Sequence, residues 1–441
     1  MGLIPRTRSP QPLILGGTVL STLLVGMLYL FHDPHTTIER DKGWMPQEVY
    51  VWQRQWNPTL SKALEQAAAQ ASGFSVLAAE VSWRAGQVDR VFYAPIDYDA
   101  LKAIGKPVSL VLRIGPYSGP FDKSSDATAF VTRLAASLVT DARSVGIEPR
   151  ELQIDFDCAE SKLDGYCEWV RAFCEKVHPI PVTITVLPCW LGKATFIGLV
   201  RTADAFVLQV HSLERPTNSE APITLCDCTA TLRWAEQAAR AGVPFRVALP
   251  TYGYLVAFDS EGRFIGLGAE GPSHAWPQDA VLRIVRSDPI AIAQLLRKWQ
   301  QDRPRCMQGV IWYRLPVASD RLNWRWETLS AIMDGQIPRK NLQVAVEYPQ
   351  PELAEVVLIN DGEVDVSAEV QIEIECDRRE LVAADGLCGF AIAERKPSSI
   401  SLVHGGTAVS PTIGAGERWK VAWLRFQNRT EVTPHVSLAQ P

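Results

Sequence analysis

In the run Leu152-Gln153-Ile154-Asp155-Phe156-Asp157, two carboxylates stand two residues apart at the end of an apolar, β-favouring stretch. Strand side chains alternate between faces, so Gln153, Asp155 and Asp157 share one face while Ile154 and Phe156 take the other. Two carboxylates crowded in this way repel, so one holds its proton more tightly and can serve as a general acid. In the plainer alternative the acids cap loops or pair with Arg113 or Arg314. Charges at a barrel mouth are costly without a use, which favours a ligand-binding or catalytic role.

Other strand-like runs end in groups that could hold a ligand. Glu80 and Trp83 close one and Arg113 another; Trp190 follows a third, and Gln209 and His211 share a face on a fourth. Tyr252 and Tyr254 come next, then Trp312 and Arg314 on one face of the last. Aromatic faces beside acids, amides and guanidinium suit sugar rings, whose C–H faces stack while their hydroxyls hydrogen-bond. Taken singly each aromatic is as readily core, and Trp312 could simply fill the barrel. His211 reads more readily as a structural histidine than as a metal ligand. A hard-metal hydrolase site from Asp155, Asp157 and His211 is a minor alternative, because no second histidine sits at ligand spacing. An Asp-x-Asp strand end also holds a divalent metal in nucleotide-sugar glycosyltransferases, but that reading requires a nucleotide-binding fold. Cys226-x-Cys228 is too weak a spacing for a metal site. Ser/His/Asp catalysis lacks a G-x-S-x-G elbow and Gly-rich phosphate loops are absent; neither a metal nor a cofactor is expected.

These groups must be positioned by eight strands read at Val49–Gln53, Val76–Trp83, Val108–Ile114, Leu152–Asp157, Val182–Leu187, Ala205–His211, Phe245–Pro250 and Gly309–Arg314. Most are followed by an amphipathic helical stretch, the pattern of a closed parallel (β/α)₈, TIM-like barrel over residues 47–338. After the fourth strand, Ser161 and Asp164 suit a capping box, with Leu163, Cys167, Val170, Cys174 and Val177 on one helix face. Insertions run from Ser212 to Cys228 and from Tyr252 to Pro277. The second carries a hairpin around Ser-Glu-Gly, Leu255–Asp259 against Arg263–Ala269. Both belong to the C-terminal face, where barrel enzymes build their sites. Beyond Pro338, runs at Leu342–Glu347, Glu355–Ile359, Glu369–Ile374 and Lys420–Phe426 read as a small all-β sandwich domain over 339–441.

With 44 Lys and Arg against 49 Asp and Glu, the net charge is −5 and no basic stripe is evident, which argues against nucleic acid as a partner. Residues 12–31 carry no charge over twenty positions, enough for a helix to span a bilayer. Arg6 and Arg8 precede them. The expectation is a cytoplasmic N-terminus at 1–11, an uncleaved transmembrane anchor at 12–31 and a linker at 32–46. The protein would then be a single-pass inner-membrane protein with its bulk in the periplasm or extracellular space. A cleaved signal peptide is the alternative. Outside the cytoplasm some of the nine cysteines should pair, Cys376 with Cys388 in particular.

The runs Gln-Ile-Asp-Phe-Asp, Val-Leu-Gln-Val-His and Gly-Val-Ile-Trp-Tyr-Arg-Leu-Pro resemble an uncharacterised bacterial family known only as a domain of unknown function, over roughly residues 47–335. That family is in turn distantly similar to the family 18 glycoside hydrolases, the chitinase type, which carry Asp-x-x-Asp-x-Asp-x-Glu on the fourth strand. The resemblance implies a polysaccharide or oligosaccharide partner. In one register it places Ala159 at the catalytic glutamate, leaving a barrel that binds glycan or a protein partner without cutting. In the other, Asp157 becomes a shortened general acid, with Asp155 orienting a substrate acetamido group. Gln153, Glu80, Arg113, Trp190, Gln209, His211, Tyr252, Trp312 and Arg314 would then contact substrate.

Overall fold

The computed structural model describes residues 38–211, 215–269, 276–377, 379–405 and 411–438. Eight strands form one closed parallel sheet: β1 (Gln47–Val51), β2 (Gly73–Arg84), β3 (Val108–Ile114), β4 (Leu152–Phe156), β5 (Val182–Val186), β6 (Ala205–Gln209), β7 (Phe245–Pro250) and β8 (Met307–Tyr313). Each pairs with its neighbours in chain order, and β1 pairs with both β2 and β8, which closes the barrel. The helices that alternate with them are α1 (Pro58–Ala68), α2 (Tyr98–Ile104), α3 (Asp126–Ser144), α4 (Leu163–Val177), α5 (Ala194–Val200), α6 (Cys228–Ala239), α7 (Pro289–Gln301) and α8 (Trp326–Met333). Every expected strand is present, with its ends moved by at most three residues.

Alternation along β4 sets the site. Leu152, Ile154 and Phe156 are buried, and Phe156 packs on Trp169 of α4 at 5.8 Å between ring centroids. Trp169 is the hub of this layer: it stacks on Tyr117 at 4.9 Å and donates from Nε1 to Thr128 Oγ1 of α3 at 2.6 Å. Such aromatic contacts add about 0.5–1.5 kcal/mol each beyond area burial, so the outer face of β4 is held firmly. The inner face of β4, with its acids, therefore has a defined register.

The expected capping box on α4 is absent. A short 3₁₀ turn, Glu160–Lys162, precedes the helix, and no side chain caps it. Of the expected face, Leu163, Val170 and Val177 are buried as read. Tyr166, Trp169 and Phe173 are buried beside them, while Cys167 and Cys174 are half-buried. Large aromatic rings out-compete thiols for the interior because they remove more apolar area from water.

After β7 the expected hairpin forms, Gly253–Phe258 against Phe264–Gly268, and a third strand, Val281–Arg286, pairs along its other edge. Beyond the barrel, two four-stranded antiparallel sheets enclose one apolar core that includes Val356, Leu358, Ile372, Ile374, Leu402, Val421 and Leu424. Barrel and sandwich are joined by ion pairs: Arg325 with Glu417 at 2.6 Å and Arg286 with Asp365 at 3.4 Å. The expected Cys376–Cys388 bridge is not formed, and both residues are thiols. Cys376 meets Ser398 at one end of the strand Ser399–His404, whereas Gly389, next to Cys388, meets Gly405 at the other. Six strand residues separate them by about 20 Å, far beyond disulfide reach.

The expected anchor at 12–31 lies outside the described residues, and among the described residues no helix is long and apolar enough to cross a membrane. The single-pass inner-membrane placement is corrected on that finding.

Candidate active site at the barrel mouth

Four polar side chains rise in a column along the inner face of β4 and its flanks: Glu151, Gln153, Asp155 and Asp157. At about 3.3 Å per residue, each step climbs roughly 7 Å from floor to mouth. At the floor, Arg246 of β7 lies between Glu48 and Glu151, bonded to both, all three buried. Thr183 Oγ1 donates to Glu151 at 2.7 Å, and Arg150 adds a second cation to Glu48 at 2.8 Å. Despite its burial, Glu151 is held below the usual carboxylate range: Arg246 and its other hydrogen-bond donors outweigh the desolvation. One level up, Gln153 donates to Ser75 Oγ at 2.8 Å and to Glu151 at 2.6 Å, and accepts from the Tyr50 hydroxyl at 2.8 Å.

Above this sealed floor opens a cleft of ≈ 270 Å³. Asp155 forms its base: Oδ2 accepts from Arg113 Nη1 at 2.6 Å and Oδ1 from Thr185 Oγ1 at 3.0 Å. Asp157 stands at the mouth with its side chain 52% exposed, its Oδ2 3.9 Å from Arg113 Nη2. Arg113 thus lies between the two carboxylates and reduces their repulsion. Burial raises the pKa of Asp155; Arg113 opposes the rise and Asp157 adds to it. Burial, rather than crowding by Asp157, is the larger cause of that rise.

The walls are aromatic. Tyr50, Trp52, Tyr252, Tyr254 and Tyr313 line the cleft with Gln209, His211 and Ala248. Trp52 and Tyr313 meet edge to face at 5.2 Å, and Arg113 lies 5.8 Å over the Trp52 ring, a cation–π contact. His211 stacks on Tyr313 at 5.2 Å with 21° between planes, and its Nδ1 is 3.1 Å from the Tyr252 hydroxyl. Its Nε2 is buried and meets no partner among the described residues. Burial pushes the imidazole pKa down to about 3, so it is neutral at ordinary pH.

Of the residues named from sequence, Asp155, Asp157, Arg113, Gln209, His211, Tyr252 and Tyr254 converge on this cleft. The others do not line it. Gln153 lies one layer below, and Glu80 is turned to Arg54 at 2.6 Å, beside Arg113 in the β2–β3 register. Trp190 is fully buried, its turn directing the ring toward Tyr166 of α4 at 6.3 Å. Trp312 is fully buried outside the barrel, donating to Gln47 Oε1 at 3.1 Å and packing on Trp324 at 6.1 Å. Arg314 pairs with Asp320 at 2.8 Å. The face of β8 is therefore the reverse of the one expected: Ile311 and Tyr313 point inward. Tyr50, Trp52, Thr185, Ala248 and Tyr313 were missed. Alternation on β1 would have placed Tyr50 and Trp52 on one face, and the opposite parity on β8 would have found Tyr313.

No match was found among curated proteins. Similar solved structures include the spore cortex-lytic enzyme SleL of Bacillus megaterium QM B1551, at 12% identity over 67% of this chain and 75% of that one, with a TM-score of 0.48. Chitinase ChiA74 from Bacillus thuringiensis is 8% identical over 89% and 100%, with a TM-score of 0.41. A chitinase from Chromobacterium violaceum ATCC 12472 is 16% identical over 66% and 98%, with a TM-score of 0.43. Residues 104–318 match the model of a family described as Domain of unknown function (DUF3142). That stretch holds β3 to β8, with Arg113, both aspartates, His211, Tyr252 and Tyr313, but not Tyr50 or Trp52 of the β1 region. From β3 to β8, then, the chain matches a family of the uncharacterised kind that its Gln-Ile-Asp-Phe-Asp run resembles.

Proposed function

We propose that the cleft is a saccharide site and that the barrel is a glycoside hydrolase acting on a polysaccharide or oligosaccharide, with residues 339–441 as a separate β-domain. The observation that carries this is the pairing of Asp155 at the base with Asp157 at the mouth, inside a wall of five aromatic rings. A sugar stacked on Tyr313 or Trp52 would present its glycosidic oxygen toward the mouth, where Asp157 is the carboxyl able to donate a proton. Asp155 uses one lone pair of each oxygen on Arg113 and Thr185, and so keeps acceptor capacity for an amide N–H or hydroxyl of the substrate. The neutral His211 and Gln209 supply further hydrogen bonds without adding charge.

One observation favours a second reading, in which the barrel binds glycan without cutting it. Arg113 is bonded to Asp155 and stands 3.9 Å from Asp157, an arrangement in which the acids hold the guanidinium rather than transfer a proton. The full-length chain incubated with β-linked oligosaccharides, N-acetylated ones included, distinguishes the two by product mass. Cleavage that Asp157→Asn abolishes while binding persists supports the hydrolase. Affinity for one glycan with no cleavage by the parent moves the assignment to a binding protein. Neither cleavage nor affinity across the panel sinks both.

A further inference from the structure

The β-sandwich meets the barrel close to the cleft, and its ion pairs connect through printed-out backbone bonds to one cleft wall. Tyr252 lines the cleft, with its hydroxyl 3.1 Å from His211 Nδ1. Its backbone carbonyl accepts from Ser287 twice, from the amide at 3.2 Å and from Oγ at 3.1 Å. The residues on either side are gripped as well. The Thr251 carbonyl accepts from the Trp324 amide at 2.7 Å. Gly253 pairs with Arg286, and a Cβ there would meet the Val285 carbonyl oxygen at 2.6 Å and that of Leu322 at 3.0 Å. Only glycine permits so close an approach. Trp324 Nε1 donates to the Ser287 carbonyl at 2.9 Å, which ties the two gripping segments, 285–287 and 322–324, to each other.

Both segments reach the sandwich through an arginine. Arg286 lies 3.4 Å from Asp365 Oδ2, and Arg325, directly after Trp324, lies 3.4 Å from Asp365 Oδ1. Arg325 has a second carboxylate, Glu417 at 2.6 Å. Arg286 pairs with no other carboxylate among the described residues, and its further bond goes to the Arg321 carbonyl at 2.6 Å. The side chains of Asp365 and Arg286 are 17% and 21% exposed, so salt screens the pair weakly. The Ala415 amide donates to Asp365 Oδ1 at 3.3 Å and fixes the carboxylate on the sandwich side. Without that carboxylate the two guanidiniums would repel across the space it fills, and the segments carrying them would part.

We propose that Asp365 is a positioning residue for the cleft. By pairing with Arg286 and Arg325 at once, it holds segments 285–287 and 322–324 together around residues 251–253 and so fixes Tyr252 against His211. The β-sandwich thereby braces one wall of the barrel mouth. That this wall receives a saccharide rests on the reading above; the bracing itself does not.

The test is Asp365→Asn in the full-length chain, read without ligand by hydrogen exchange and by the imidazole resonances at pH near 7. Peptides covering 251–258 and 281–287 should exchange about tenfold faster than in the parent. Over the same time β4 and the sandwich strands Val370–Glu375 and Ser399–His404 should keep their protection. The His211 resonance should shift as the Tyr252 hydroxyl leaves Nδ1, whereas that of His178, just before β5 at the barrel floor, should stay. Arg286→Met, made from the barrel side, should reproduce both changes. An oligosaccharide that the parent binds should bind the variants several-fold more weakly; a parent that binds none defeats the saccharide reading alone, and exchange then decides the brace. Unchanged exchange at 251–258 with an unmoved His211 resonance would overturn the proposal. So would faster exchange spread evenly over every peptide, the mark of a general loss of stability.

Discussion

His211 gives the sharpest physical test of the cleft. An ordinary imidazole titrates near 6.5, whereas this one is pushed down to about 3 by burial against Tyr313 and Tyr252. Between these values the unfolded chain takes up a proton that the folded chain refuses, so stability is lost as pH falls below 6.5. The slope is about 1.4 kcal/mol per pH unit, which makes the loss from pH 6.5 to 5 about 2 kcal/mol. Asp155 works the other way, since its pKa is raised on folding, but its window begins near the normal carboxylate value. Urea midpoints from pH 5 to 8 should be compared with those of His211→Gln, which retains Asp155 and removes only the imidazole. The parent should lose stability relative to the variant by about 1.4 kcal/mol for each unit below 6.5. The His211 ring-proton resonance, assigned by its absence from the variant, should stay flat over the same range. Equal pH slopes, or a resonance that moves with a midpoint near 6.5, would refute the claim that this imidazole is sealed in the wall.

Three further single substitutions probe the barrel. Tyr313→Ala should weaken oligosaccharide binding on the order of tenfold with a modest stability loss, whereas Trp312→Ala should cost about 3–5 kcal/mol of stability through the cavity it leaves. Isothermal titration and urea unfolding of the two variants decide which face of β8 serves the cleft, and the reverse pattern would overturn the assignment. Arg246→Met should destabilise the protein by about 3–5 kcal/mol, because Glu48 and Glu151 lose the buried cation they share. Adding Glu48→Gln and Glu151→Gln should recover part of that loss in thermal unfolding, and an unchanged single-variant midpoint would show the floor to be unimportant.

The barrel was legible because its signals are local. Short β-favouring runs and amphipathic stretches repeat eight times, and each element needs only its own residues to declare itself. The same holds for β4, where apolar Ile154 and Phe156 alternate with Gln153, Asp155 and Asp157. On β8 alternation alone leaves two answers, since Ile311, Trp312 and Tyr313 are all able to be buried. The choice falls to packing partners hundreds of residues away in sequence, Gln47 for Trp312 and Tyr50 for Tyr313.

The chain by itself thus determined the order of strands and helices and the placing of two acids at one strand end. Tertiary structure alone decided that Arg113 would stand between those acids and that His211 would be neutral. It also decided that Tyr50, Trp52 and Tyr313, from the two ends of the barrel sequence, would form one wall. The reason is geometric: closing the sheet pairs β1 with β8, and no periodicity within a strand encodes which distant side chain shares its layer.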